Sequence, residues 1–170
     1  MDAEALRTLQ APLKDRYKSD SGAARLTLKA SGEIDESKIA CKIETGRAIA
    51  EAGLHPLTGG TGAELCSGDM LLEALVACAG VTLKAVSTAI GVNLQRGRVT
   101  AEGDLDFRGT LGVAKDAPVG FSAIRLTFDL KTDATDEQVA QLIKLTERYC
   151  VVFQTLRTSP ATSVETLVER

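Results

Sequence analysis

The sequence predicts an α+β fold, with mostly antiparallel strands packed around two long central helices. Three observations carry this. Residues 25–30, 38–47, 95–107 and 119–130 alternate apolar and polar side chains, the period of half-buried strands. Residues 68–91 instead read as a helix with almost no polar face, and residues 136–150 repeat their apolar positions at helical spacing. The order ββ-α-ββ-α, closed by a strand at 162–168, belongs to α+β folds and not to a series of βαβ units.

Each element has its own signal. Residues 2–18 suggest a short helix interrupted at Pro12. "ARLTLKASGEI" alternates from Arg25 to Ala30, turns near Gly32, and pairs with "KIACKIETGR", giving an N-terminal hairpin over about 23–47. Residues 48–67 read as a long Gly-rich loop, and loops of this length in a small domain are often functional. The central helix, 68–91, is the most apolar segment and stops at Gly91. Two strands within 95–130 are joined through "RGTLGVAKDAP". Thr135 and Gln138 form a capping box for the second helix, 136–150, whose apolar positions include Val139, Leu142, Ile143 and Cys150. Pro160 breaks the chain, and "SVETLV" returns as a C-terminal strand over 162–168. The whole, 1–170, reads as one domain.

Composition narrows the function classes. Aromatic residues are only 4% of the chain and Trp is absent, so the core must be aliphatic. A net charge of −3 without a basic block argues against nucleic acid as a partner. The polar N-terminus predicts neither signal peptide nor anchor, and a cytoplasmic setting is expected. The uncharged run between Glu73 and Lys84 is well short of the ~20 residues that span a bilayer. The central helix is therefore expected to be buried within protein on nearly all sides, with no membrane partner.

The four cysteines, at 41, 66, 78 and 150, contain no C-x-x-C pair and do not suggest a disulfide framework. With the single histidine, His55, they are spaced too irregularly for a zinc site, so no metal is expected. "GGTG" lacks the Lys-Ser/Thr ending of a phosphate loop. Cys78 lies in the middle of the central helix and Cys150 on the apolar face that Val139 shares. Both could be small core hydrophobes, or two inward thiols brought together as a redox pair.

"GGTGAELCSGDMLLEALVACAGVTL" with "ERYCVVFQTL" resembles the OsmC/Ohr family of thiol-dependent peroxidases, most closely over 59–91 and 146–157. The resemblance implies an OsmC-like intertwined homodimer with active sites at the interface, and reduction of organic hydroperoxides. By the same resemblance, Cys78 would attack the peroxide and become a sulfenic acid. Cys150 would then close a Cys78–Cys150 disulfide, to be reduced by an external dithiol such as a dihydrolipoyl group, with no bound cofactor. The apolar surroundings of Cys78 would seat an alkyl or lipid hydroperoxide in preference to hydrogen peroxide.

Several positions depart from the family pattern. The family often has Pro at the position of Ser67 and Glu shortly after it, where this chain has Asp69, nine residues before Cys78; Val151 follows Cys150 where the family usually has Pro, and the first hairpin stretch "KASGEIDES" holds no arginine to activate the thiolate. Arg47 is the favoured substitute, with Asp69 holding its guanidinium. Arg148, whose plainer role is to pair with an acid on its own helix, and His55 are further candidates. Cys66 is read as packing, and Cys41 carries no assigned role. The alternative function is a non-catalytic OsmC-like dimer that binds an apolar small molecule at its interface.

Overall fold

Six strands and, beyond residue 30, four α-helices are seen among the described residues of a computed structural model, which describes residues 2–5, 7, 8, 10, 11, 19, 31–34, 40–44, 49–112 and 114–170. The described N-terminal residues 3–5, 7, 8, 10 and 11 are helical, where a short helix is predicted.

Strands β1 (Ser31–Ile34) and β2 (Ala40–Glu44) form the predicted hairpin, but in a different register. Gly32 does not turn the chain: it lies inside β1 opposite Ile43, and the connection follows Ile34. The ladder extends through Gly32 because a strand tolerates glycine where a turn is not otherwise forced. The expected first strand before residue 31 lies outside the described residues.

The expected loop over 48–67 also changes. It opens with β3 (Ile49–Gly53), antiparallel to β2, and closes with β4 (Leu65–Cys66), parallel to β3. β3 satisfies backbone donors and acceptors that the edge of β2 would otherwise leave unpaired. A short 3-10 turn, Pro56–Thr58, intervenes, with the His55 ring nitrogen Nδ1 accepting the Leu57 N–H at 3.1 Å. Gly60 permits the tight return, since a Cβ there would stand 1.7 Å from the Leu54 carbonyl oxygen.

Helix α1 (Ser67–Ile90) follows and ends at Gly91, whose φ of 75° is the left-handed conformation that glycine adopts without penalty. Next come β5 (Leu94–Asp104), the short α2 (Phe107–Thr110) and β6 (Ala123–Thr132). β5 and β6 pair antiparallel, with Val99 opposite Phe128 and Ala101 opposite Leu126. These positions, with Ile124 and Leu130, turn toward the core, as period-two alternation requires. On the other face Arg125 stands opposite Glu102 and reaches Asp104, with one Nη2–Oδ1 hydrogen bond of 2.8 Å.

Helix α3 (Asp136–Tyr149) begins with the predicted capping box: the Thr135 N–H donates to Gln138 Oε1 at 2.9 Å, and the Gln138 N–H to Thr135 Oγ1 at 3.3 Å. It stops one residue before the expected end. Cys150 takes an extended conformation, φ −74° and ψ 106°, and a further helix, α4 (Val151–Arg157), starts at once.

The C-terminal strand predicted over 162–168 is not formed. Residues 159–170 have no secondary structure, and Val164 and Leu167 are 94% and 88% exposed. A strand needs a ladder to join, and among the described residues this tail meets none.

The core lies where α1, the β5–β6 face and the α3–α4 pair meet. Leu83, Val86, Val92 and Leu142 form one buried cluster, and Leu75, Ala79 and Cys150 a second. The buried residues of α1 thus make a single stripe. Among the described residues the expectation that α1 is covered on nearly all sides does not hold, because the described sheet and helices pack against one side of it. Ala74 and Ala77 are exposed and Val81 is 73% exposed. By length and composition α1 could cross a membrane, but it carries Glu73 and Lys84 and has one stripe seated in protein.

Candidate active site

The second buried cluster contains both thiols that the sequence singles out. Cys150 is 1% exposed, and the half-buried Cys78 packs against it together with Val152 and Phe153. α1 delivers Cys78 one turn beyond Leu75, and the break between α3 and α4 delivers Cys150. That break matters chemically. The first amide N–H groups of a helix have no intrahelical acceptor, so those of Val151, Val152 and Phe153 are free to donate to a nearby anion.

They donate to the thiols. Burial alone would push Cys78 up. The Val152 N–H, the Cys150 thiol, the Val151 N–H and the Thr82 hydroxyl all hydrogen-bond its sulfur, and together they hold Cys78 below the ordinary cysteine range. Cys150 moves the other way. Burial raises it, and although the Phe153 and Val152 amides oppose that, its hydrogen bond to Cys78 and the nearby Cys78 charge keep it protonated. The two shifts are opposed: the surroundings favour the thiolate at Cys78 and the thiol at Cys150.

The remaining candidates fall elsewhere. Asp69 is exposed in the first turn of α1, and nine residues of helix separate it from Cys78, about 14 Å along the axis. It cannot touch the thiol directly. Arg47, which Asp69 was expected to hold, lies outside the described residues, as does the side chain of Cys41. Arg148 has a different neighbour from the acid expected on its own helix: its guanidinium sits 5.5 Å from the centre of the Tyr149 ring. His55 stacks on Phe107 with centroids 4.9 Å apart, beside the start of α1. Cys66 is the N-cap of α1, some 18 Å along the helix from Cys78, so a Cys66–Cys78 disulfide within this chain is out of reach. Among the described residues no group of His, Cys, Asp and Glu is placed to hold a metal ion.

Sequence reading thus finds the two thiols and misses their activators. The backbone amides of Val151 and Val152 carry no side-chain signature. Their one trace is Val151 itself: proline at that position would have had no N–H to give.

A cleft of about 560 Å³ opens beside the thiols between α1, α4 and β6. Its walls are apolar, with Leu75 and Phe153 one turn from the two cysteines and Leu71, Leu156 and Phe121 further out. Neither cysteine lines the cleft itself, which Leu75 and Phe153 separate from the thiol pair.

Comparisons with known proteins show the family and the fold. The family model "OsmC-like protein" matches residues 60–165, which include every residue of the thiol site. The fold is that of solved OsmC-like structures. It superposes on an OsmC-like protein from Mycoplasma pneumoniae with a TM-score of 0.65 at 13% identity, covering 79% of this chain and 89% of that one. An organic hydroperoxide resistance protein from Elizabethkingia anophelis gives a TM-score of 0.62 at 17% identity, covering 79% and 91%. The organic hydroperoxide resistance protein OsmC from Legionella pneumophila gives 0.60 at 13%, covering 79% and 93%. No curated protein matches the sequence significantly.

Proposed function

The chain belongs to the OsmC-like protein family, and from that premise we propose that it is a thiol peroxidase reducing organic hydroperoxides through Cys78 and Cys150. The observation that carries this reading is the packing of Cys78 against Cys150 in one buried cluster, where Cys78 is lowered and Cys150 raised. A peroxidase of this type needs one thiol ionised for attack and a second, protonated, within reach for resolution.

The chemistry follows from that order. The Cys78 thiolate attacks the terminal oxygen of R–O–OH, an S–O bond forms as the O–O bond breaks, and the alkoxide takes a proton to leave as the alcohol. Cys78 is now a sulfenic acid, oxidised by two electrons. The Cys150 sulfur attacks it, an S–S bond forms, and hydroxide leaves with the Cys150 proton as water. An external dithiol, such as a dihydrolipoyl group, returns the disulfide to two thiols and is itself oxidised to a disulfide.

The apolar cleft supports alkyl or lipid hydroperoxides as substrates, since burying their carbon contributes ~25 cal/mol per Å². The uncovered stripe of α1 at Ala74, Ala77 and Val81 supports a homodimer that closes over it. A reducing, cytoplasmic setting suits a cycle that must regenerate free thiols. The direct test is intact mass after one equivalent of cumene hydroperoxide. The expected product is two hydrogens lighter, with a Cys78–Cys150 peptide. Unchanged mass and unchanged free thiols would overturn the reading.

A further inference from the structure

Between α3 and α4 the helical hydrogen-bond ladder loses three rungs. The Cys150 N–H still donates to the Thr146 carbonyl at 2.9 Å, and the ladder resumes with the Gln154 N–H on the Cys150 carbonyl, also at 2.9 Å. A continuous helix would join the N–H groups of Val151, Val152 and Phe153 to the carbonyls of Glu147, Arg148 and Tyr149. The break parts these two sets. Val152 and Phe153 pack against both thiols, so their freed N–H groups stand beside sulfur. The carbonyls at the end of α3 need other donors.

One of them has found its donor in a side chain. Gln154 donates through Nε2 to the Glu147 carbonyl oxygen at 2.7 Å, in a partly buried bond that crosses the break. This is the carbonyl to which the Val151 N–H would return if the two helices joined. In an unbroken helix residues 147 and 154 stand about 10 Å apart along the axis, and that carbonyl points at its own backbone donor. The Gln154 bond is therefore made only while the chain is broken at Cys150, and it favours that state over the continuous one. A second tie, Arg157 to Glu147 at 4.0 Å, crosses the same break, but both side chains are exposed and such a pair contributes little.

We infer that Gln154 is a positioning residue: by holding the Glu147 carbonyl it keeps the α3–α4 break open and the Val151 and Val152 N–H groups turned toward Cys78. This rests on the reading of Cys78 as the attacking thiol. Gln154 touches no reacting atom and acts through the backbone alone. Neither glycine nor proline lies between Glu147 and Arg157 to impose the break, so a side chain that satisfies the carbonyl it exposes supplies a reason for it to persist.

The test asks whether Gln154 and the Val151 amide depend on each other. Gln154→Met keeps the length and helix propensity of the side chain and removes the donor. Iodoacetamide alkylation of Cys78 is followed across pH by peptide mass spectrometry, using the full chain. Gln154→Met is expected to displace the midpoint upward and to slow alkylation at neutral pH roughly fivefold, the net effect of one ordinary hydrogen bond. The same substitution in a Val151→Pro background should change neither. Proline has no N–H to return to the Glu147 carbonyl, and its ring excludes the continuous helix by itself. Gln154→Ala repeats the comparison in case methionine perturbs the packing, with the same expectations. Arg157→Met, which cuts only the exposed ion pair, should keep the wild-type profile. An unchanged profile in both Gln154 variants would overturn the proposal. So would an equal slowing in the Val151→Pro background, which is what a merely structural role predicts. A slowing as large in Arg157→Met would also overturn it, by giving the role to the ion pair. Failure of wild type to consume any hydroperoxide would defeat the peroxidase reading, while the alkylation profile, which needs no peroxide, still judges Gln154.

Discussion

Cys150 and Cys78 pack together in one buried cluster, joining the middle of α1 to the break between α3 and α4. The contact assigns the two sulfurs different work. Cys78→Ser should abolish hydroperoxide consumption, because no thiolate remains to attack. Cys150→Ser should permit a single oxidation and then leave the Cys78 sulfenic acid without a partner, so excess peroxide should carry it to sulfinic acid. Peptide mass spectrometry decides between them. A persistent disulfide in Cys150→Ser would move the resolving role to another cysteine.

The opposed shifts also set a pH dependence. Cys78 is held below the ordinary cysteine value, so its alkylation rate should climb with a midpoint below that of a free thiol and level off above it. For stability, a depressed thiol contributes above the unfolded value and loses that contribution as pH falls through the folded one. Cys150 is raised, so its contribution is present below the unfolded value and is lost as pH climbs through the folded one. The two partly cancel in stability, which makes reactivity the sharper measurement. Iodoacetamide kinetics across pH with a midpoint at or above that of a free thiol would contradict the assignment.

Activation by backbone amides predicts a particular variant. The Val151 side chain is 71% exposed and occupies the first position of α4, where proline fits a helix well. Val151→Pro should therefore fold normally but remove one donor from Cys78, moving its midpoint upward and slowing alkylation severalfold at neutral pH. Thr82→Val should act in the same direction through the lost hydroxyl. Arg47→Met is the comparison variant. A shift there as large as in Val151→Pro would return activation to a guanidinium, and no shift in Val151→Pro would remove the amide from the mechanism.

How far the sequence carries is visible in these same residues. Helical spacing of Val139, Leu142 and Ile143, with Thr135 and Gln138 at the start, defines α3 because capping and periodicity are local effects written in side chains. The helix break at Cys150 has no such mark: neither glycine nor proline stands there, and the chain bends at an ordinary residue. Its consequence, free amides aimed at Cys78, is a long-range coincidence of backbone that no side-chain pattern encodes. The shift of the first hairpin has a similar origin. Gly32 is compatible with a turn or a strand, and only the pairing with Ile43 chooses between them. The tail shows the opposite failure. "SVETLV" has strand propensity, but propensity without a neighbouring edge leaves it unpaired.

The uncovered side of α1 yields the last prediction. The most apolar stretch of this helix has only 28% of its residues buried within one chain, and Ala74, Ala77 and Val81 recur at helical spacing on the open side. Cys78 lies directly beside that stripe, so whatever covers it also roofs the thiol site. A second copy of α1 is the simplest cover, because small residues at Ala74 and Ala77 allow two such helices to approach closely while Val81 fills the space between them. A stable interface of this kind buries ~1,600 Å² or more, in reach of a 24-residue helix aided by its flanking elements. Val81→Asp should place a carboxylate in that contact and drive dissociation, with peroxide consumption falling together with the dimer. Val81→Leu, of the same character, should keep both. Sedimentation at micromolar concentration reads the outcome directly. A folded, fully active 17.9 kDa monomer in wild type would show that α1 needs no partner and that the thiols work from one chain alone.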